Sequence, residues 1–310
     1  LENLPENIRK IKQKALELGF LQAGIAKADH LHADAPRLRH WLDKGYHGLM
    51  GYMENHFEKR IDPRRLVEGA RSVVVVLQNY FTREKQQDES APRISKYAYG
   101  KDYHRIMKKK LQRLSDFMEG QIGAHSGRIF VDSAPVLERA WGRLAGLGWI
   151  GKHSLLLSRK NGSWFFIGVI ITDLELDADK PMKDYCGDCT RCVDACPTGA
   201  ILPGKIVDAS RCISYLTIEN REARIPEEFR DKMQNRVFGC DICQDVCPWN
   251  SNAHPHSEPW LEPCPGLLEM NRQEWMEMDK DGYDRIFEGS AVKRAKFAGI
   301  QRNINFLQEK

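Results

Sequence analysis

Seven of the nine cysteines in this chain fall into two blocks, Cys186-x2-Cys189-x2-Cys192-x3-Cys196-Pro197 and Cys240-x2-Cys243-x3-Cys247-Pro248. The first has the spacing by which bacterial iron–sulfur proteins hold 4Fe–4S clusters. Three thiolates two residues apart can curl around one cubane, while the fourth, carried off by the next helical turn, points towards a second cluster. The second block is one ligand short, and Cys212, in Arg211-Cys212-Ile213-Ser214, is the natural candidate for the gap. The crossing rule then expects Cys186, Cys189, Cys192 and Cys247 on one cluster and Cys196, Cys212, Cys240 and Cys243 on the other, with Cys264 left over.

Zinc sites close paired C-x2-C knuckles around four ligands, which a run of four cysteines ending in Cys-Pro, partly repeated downstream, fits poorly. Disulfides need an oxidising compartment, and no secretory segment is evident in these residues. A radical S-adenosylmethionine enzyme needs C-x3-C-x2-C, but the third position is Gly199 after Cys196 and Asn250 after Cys247. The pattern therefore points to electron transfer.

At 310 residues the chain can build about two domains. Charged residues make up 29%, and the run Val73–Leu77 is too short to span a bilayer, so a soluble cytoplasmic protein is expected. The net charge of +4 implies no particular partner. Basic residues do cluster at His104, Arg105, Lys108, Lys109, Lys110 and Arg113, and again at Lys293, Arg294, Lys296 and Arg302. The first group reads equally well as a solvated helix face or as a phosphate-contacting one.

Before residue 178 helix and strand patterns alternate. Helices are expected over 8–18, ended by Gly19, and over 35–44, 103–120 and 135–144. Strands are expected over 21–26, 72–77, 128–131, 154–157 and 164–172, the second buried because it is continuously apolar. Asn161-Gly162 signals a hairpin joining the last two strands. An α/β domain over 1–178, a cluster domain over 179–250 and a tail over 251–310 packing on the core follow from this pattern. Gly146-Leu147-Gly148-Trp149-Ile150-Gly151 matches a dinucleotide fingerprint, but it follows a helix and precedes a strand, the wrong context, and reads better as a glycine-rich helix exit.

A cluster domain only conducts electrons, so the substrate chemistry belongs in the N-terminal part. Asp132, at the end of an expected strand and just ahead of a helix, stands where such folds place catalytic groups, although Asp132 or Ser133 could equally cap the helix.

Several segments together resemble the epoxyqueuosine reductases: Glu58-Lys59-Arg60, Tyr99–His104, Val131–Arg139, Ala145–Lys152, the first cysteine block, Arg211–Thr217 and Gly239–Pro248. The resemblance covers nearly the whole chain and implies an α+β protein, with an N-terminal α/β cobalamin-binding domain followed by a bacterial-ferredoxin-like two-cluster domain. It implies two-electron reduction of epoxyqueuosine at the wobble position of tRNA, with electrons passing from two 4Fe–4S clusters to cobalamin. Asp132 would be the proton donor to the epoxide oxygen. Holding that proton near neutrality demands about 4 kcal/mol of differential stabilisation, from burial beneath corrin and nucleoside. Arg139 would oppose this if it lay close, so it is expected to face the substrate or the cofactor periphery.

Matching positions for cobalamin are Arg60, Ser95, Asp132, Arg139, Leu156, Ile167, Ser214, Asp241 and Ile242. No D-x-H-x-x-G signature is present, since Met107 stands where the glycine of Asp102-Tyr103-His104 would fall, so base-off cobalamin without a protein histidine is expected. Expected partners are the tRNA anticodon stem-loop, contacted by Arg221, Arg224 and Lys108–Lys110, and an electron donor such as a flavodoxin or ferredoxin, with the enzyme acting as a monomer. Many relatives continue into helical repeats where this chain stops at Lys310, as a short form or a trimmed one. The rival is a reductive dehalogenase, which couples the same cofactors to small organohalides, usually behind a twin-arginine export signal not seen here.

Overall fold

The protein is described by a computed structural model over residues 5–308. Helix α1 (Glu6–Glu17) places Ile8, Ile11 and Ala15 on one stripe and ends where Gly19 turns at φ +81°. Strand β1 (Gln22–Lys27) follows, then α2 (Ala35–Asp43), the short α3 (Phe57–Ile61) and β2 (Ser72–Asn79). After a two-residue strand β3 (Arg93–Ile94) come α4 (Tyr103–Gln121), β4 (Gly127–Phe130), α5 (Glu138–Leu144), the short pair β5 (Trp149–Ile150) and β6 (Leu156–Leu157), and β7 (Phe165–Thr172).

Strands β1, β2, β7 and β4 form one sheet in that order, and every neighbouring pair is antiparallel. The α/β layer expected before residue 178 is thus built on an antiparallel sheet, with the continuously apolar β2 buried as expected. Successive side chains of β2 serve two cores: Val74 and Val76 meet α1 and α4 through Ile11, Met107 and Leu111, while Val73, Val75 and Leu77 meet α5 through Ala140 and Trp141. Burial on both faces removes the polar alternation that normally marks an antiparallel strand.

The hairpin expectation fails in a related way. Ser158 and Gly162 do bridge across a tight turn, but β6 pairs with β5, whereas β7 inserts between β2 and β4. An eight-residue ladder to β2 outweighs a local pair of two residues. Helix α5 also starts later than expected, because Val136 donates to the Ala134 carbonyl in a turn that leaves 135–137 outside the helix. The glycine exit behaves as read: Gly146 takes φ +69° after α5, and β5 follows.

Gly148 shows how tightly β5 and β6 are pressed together, since a Cβ there would lie 1.9 Å from the Leu157 carbonyl oxygen. Gly148→Ala should therefore destabilise the fold by about 2 kcal/mol or more. A urea melt indistinguishable from wild type would count against this packing.

Between residues 178 and 250 the elements are short. Helix α6 (Arg191–Asp194), strands β8 (Ile201–Leu202) and β9 (Ile206–Val207), α7 (Ile213–Ile218), β10 (Arg236–Phe238) and α8 (Ile242–Asp245) surround the cysteines. β10 pairs in parallel with β3, tying this part to the first. Helices α9 (Arg272–Met276), α10 (Lys280–Ile286) and α11 (Lys296–Gln308) then build a further core, in which Trp275, Phe287 and Ile300 pack with Ile94, Tyr99 and Phe238. No helix among the described residues is long and apolar enough to cross a membrane.

The sheet register sets where chemistry can occur. Asn79 faces Phe165 and Phe130 faces Val169, so the chain leaves β2 and β4 and enters β7 at one edge. Asp132 lies on that edge.

Candidate functional site

All nine cysteines are unbridged. Burial pushes the Cys247 thiol up, and the charges of Cys192, Cys186 and Cys189 push it further. Cys192 is raised by burial and then by Cys186 and Cys189. These four are one electrostatic neighbourhood. In the other, burial and Cys196 raise Cys212, burial and Cys212 raise Cys240 to about 12, and Cys243 lies well above the usual thiol range through burial, Cys240 and Cys212. Cys243 also feels Cys192, so the two groups adjoin.

The groups differ in access. Cys189 is exposed and Cys186 half-exposed, with the Trp149 indole N–H donating to Cys186 Sγ at 3.4 Å, while Cys192 and Cys247 are buried. In the second group none of the four is exposed. Cys264 stands apart, buried among Tyr99, Leu267 and Trp275.

At the sheet edge Asp132 adopts φ +48°, a left-handed conformation that aspartate tolerates better than most residues. Its backbone N–H donates to Glu138 Oε1 at 3.1 Å, and its Oδ2 accepts the Tyr103 hydroxyl at 2.7 Å. The Asp132 side chain is nevertheless 67% exposed, leaving room for a reactant. Tyr103 is pinned between Phe166 and His104, its ring 3.9 Å from the first and 4.1 Å from the second. His104 Nδ1 lies 2.7 Å from Asp102 and its Nε2 4.0 Å from Asp132 Oδ2, so both ring nitrogens face carboxylates.

Four groups that sequence reasoning did not assign to this site gather here. Glu138, the first residue of α5, is pushed up to about 7 by burial and then by the Asp132 carboxylate. Half-buried Tyr97 feels both Asp132 and Asp241, the latter lying between Cys240 and Cys243. Tyr52 and Arg294 each feel Asp132, and Arg294 holds Glu219 at 2.5 and 2.8 Å. They come from four distant segments, so only the Glu at a helix start six residues after Asp132 carried any local signal.

The shift of Glu138 has a definite sign. Its folded value of about 7 exceeds the ordinary 4.5, so the folded state binds more protons between these values and loses stability as pH rises through that window. Glu138→Gln should melt roughly 3 °C higher than wild type at pH 8, the gap closing towards pH 5. A constant gap across that range would contradict the assignment.

Of the other expected site residues, Arg60 is buried and donates to the Tyr52 and Asn55 carbonyls, so it shapes the Tyr52 loop. Arg139 turns away from Asp132 and donates to the Ser154 carbonyl at 2.7 Å, beside the buried His153, which burial and Arg139 pull down to about 4. Ser95 is buried, its N–H bonded to the Phe238 carbonyl. Buried Asp241 accepts the Lys96 N–H at 2.9 Å, and burial raises its carboxyl. Leu156 is buried and Ile167 half-buried in the α5 core, Ile242 is buried beside Cys240 and Cys212, and Ser214 sits half-buried in α7.

The basic clusters are largely committed. Lys110 is half-buried and bonded to Glu258 and Gln78, Lys293 pairs with Asp284, and Arg302 donates to the Leu216, Asn220 and Glu222 carbonyls. Lys110 is thereby corrected as a phosphate contact. Lys108, Lys109, Arg221 and Arg224 are exposed.

Two family profiles match the chain: "Epoxyqueuosine reductase QueG, DUF1730" over residues 60–133 and "4Fe-4S double cluster binding domain" over 185–250. An epoxyqueuosine reductase of Cellulophaga algicola is 53% identical over 96% of this chain and 97% of its own. That of Escherichia coli is 41% identical over 97% of this chain and 80% of its own. Among solved structures, an epoxyqueuosine reductase with an epoxyqueuosine-modified tRNA-Tyr stem loop superposes with a TM-score of 0.85 at 30% identity, covering 97% of this chain and 80% of that one. A reductive dehalogenase described as B12-dependent shares the fold at a TM-score of 0.50 and 18% identity, over 98% of this chain and 38% of its own.

Proposed function

The chain belongs to the epoxyqueuosine reductase family, and from that premise we propose how its residues convert epoxyqueuosine in tRNA to queuosine. The reaction breaks both epoxide C–O bonds, forms a C=C bond and releases water, consuming two electrons and two protons. One observation carries the reading: the Tyr97 ring lies 6.2 Å from that of Tyr103, which donates to Asp132, while the neighbouring Lys96 N–H donates to Asp241. The proton-holding edge of the sheet thereby meets the loop that bears Cys240 and Cys243.

In this reading Cys186, Cys189, Cys192 and Cys247 hold one 4Fe–4S cluster and Cys196, Cys212, Cys240 and Cys243 the other. The donor set fits, since eight unbridged thiols fall into two adjoining groups of four. The arrangement also suits base-off cobalamin. Leu156, Ile167 and Ile242 offer apolar contacts, Ser95, Ser214 and Asp241 polar ones, Arg60 holds the Tyr52 loop and Arg139 the Ser154 carbonyl, while the His104 nitrogens already face Asp102 and Asp132. When bound, the clusters supply single electrons and cobalamin a low-valent cobalt able to reduce carbon.

The chain's own residues manage the proton and the geometry. Tyr103 occupies Asp132 Oδ2, so Oδ1 is the oxygen left free to face the reactant and to pass a proton to the epoxide oxygen. Glu138 fixes the backbone of the Asp132 loop, and because it carries its own proton near neutrality the loop does not confront a second full negative charge. The wobble nucleoside must be splayed out of its stack to reach Asp132. Exposed Arg221, Arg224, Lys108 and Lys109 are the candidate phosphate contacts. A flavodoxin or ferredoxin is the proposed donor, serving residues 1–178 through the cluster segment 179–250 of a single chain.

The test is anaerobic reconstitution of the clusters, addition of cobalamin and a low-potential reductant, and mass analysis of tRNA nucleosides. Loss of one oxygen from epoxyqueuosine is expected. Intact clusters and bound cobalamin without that conversion would defeat the reading.

A further inference from the structure

Resting on the reading that Cys247 ligates the cluster nearer the surface, we propose that the cleft between the loop after β2 and helices α6 and α8 is the docking surface of an acidic one-electron carrier protein. The cleft has a volume of about 1040 Å³, and Cys247 lines it. Phe81, Trp164 and Pro248 give it an apolar floor, and Arg83, Lys85 and Arg191 line it as well.

The charges decide the partner. Arg83, Lys85 and Arg191 are all exposed, and none makes an ion pair among the described residues. These three free cations outnumber the two carboxylates of the cleft, of which one is paired. Asp245 pairs with Lys96 at 3.2 Å and Arg236 at 3.8 Å, and Asp194 accepts the Thr190 hydroxyl at 2.7 Å. Glu84 acts on His256 and does not line the cleft. The uncompensated field is therefore positive, around an apolar centre, beside a thiol of the more accessible cysteine group.

Electron tunnelling weakens steeply with distance, so a carrier must dock close to a cluster ligand. Of the eight thiols only Cys189 is exposed, and it belongs with Cys247, which leaves that group as the point of entry. A nucleic acid fits this cleft less well, because its phosphates gain nothing from the apolar floor of Phe81, Trp164 and Pro248, and the reacting nucleoside has to reach Asp132. A protein with carboxylates ringed around an exposed redox group complements both the cations and the floor. Transient redox partners need only small interfaces, steered by charge.

The test uses the reconstituted holoprotein without tRNA and follows bleaching of the clusters by reduced flavodoxin in stopped flow. The double variant R83E/K85E should be reduced about tenfold more slowly at low salt, the difference fading at high salt. Its reduction by dithionite should match wild type, which also shows that the clusters are intact. Equal rates with flavodoxin, or a wild-type rate insensitive to salt, would overturn the proposal. So would a higher KM for tRNA in dithionite-driven turnover, which would mark the cleft as an RNA surface. Because the readout needs no tRNA, a failure of the epoxyqueuosine assay would leave this result standing.

Discussion

Asp132→Asn should lower kcat for epoxyqueuosine in tRNA by about 10²–10⁴-fold, the usual contribution of a positioned general acid. Asparagine is nearly isosteric and tolerates the left-handed backbone at φ +48°. Its side-chain carbonyl can still accept the Tyr103 hydroxyl, and its backbone N–H can still reach Glu138. What it lacks is an ionisable proton. Cluster content, cobalamin binding and KM for tRNA should therefore stay near wild type while kcat falls, the signature of an interaction made only in the transition state. Tyr103→Phe should fall less, because it removes the hydrogen bond that orients the carboxyl but leaves the acid itself. An Asp132→Asn enzyme with undiminished single-turnover rate would remove Asp132 from the proton path and turn attention to Glu138 or His104.

The cysteines and Asp132 were legible in the sequence for a local reason. Cluster chemistry imposes its spacing over a few residues, and a polar residue at a strand end announces itself beside the apolar run that precedes it. Tyr52, Tyr97 and Arg294 were not legible, because each reaches Asp132 only through tertiary packing of segments far apart in the chain. Lys110 shows the converse: it reads as part of a basic helix face, yet Glu258, from the chain beyond the cysteines, neutralises it. The same distinction separates the elements. Helix α4 and strand β7 follow from period and length alone. The antiparallel order of the sheet and the separation of β6 from β7 depend on which distant strand offers the longer ladder.

The second large effect concerns the electron path. Cys243→Ala should reduce bound iron from about eight to about four per chain and abolish turnover with any reductant, while tRNA binding persists. Cys243 sits within the group that has no exposed member and also feels Cys192, so it marks the junction where electrons would cross from the group of Cys189 to the enclosed one. The remaining cluster should still be reduced by a carrier protein, since Cys186, Cys189, Cys192 and Cys247 are untouched. Cys247→Ala should instead remove that first cluster and block entry from the carrier. Cys264→Ala provides the control: it lies in the apolar core with Tyr99 and Leu267, so its loss should cost a little stability and leave both iron content and activity unchanged. If Cys243→Ala and Cys264→Ala behaved alike in iron content, the division of eight thiols into two groups of four would be wrong. If Cys243→Ala kept full turnover on four irons, electrons would have a route to the substrate that bypasses the enclosed group, and Asp241 and Tyr97 would no longer lie on the path between reductant and epoxide.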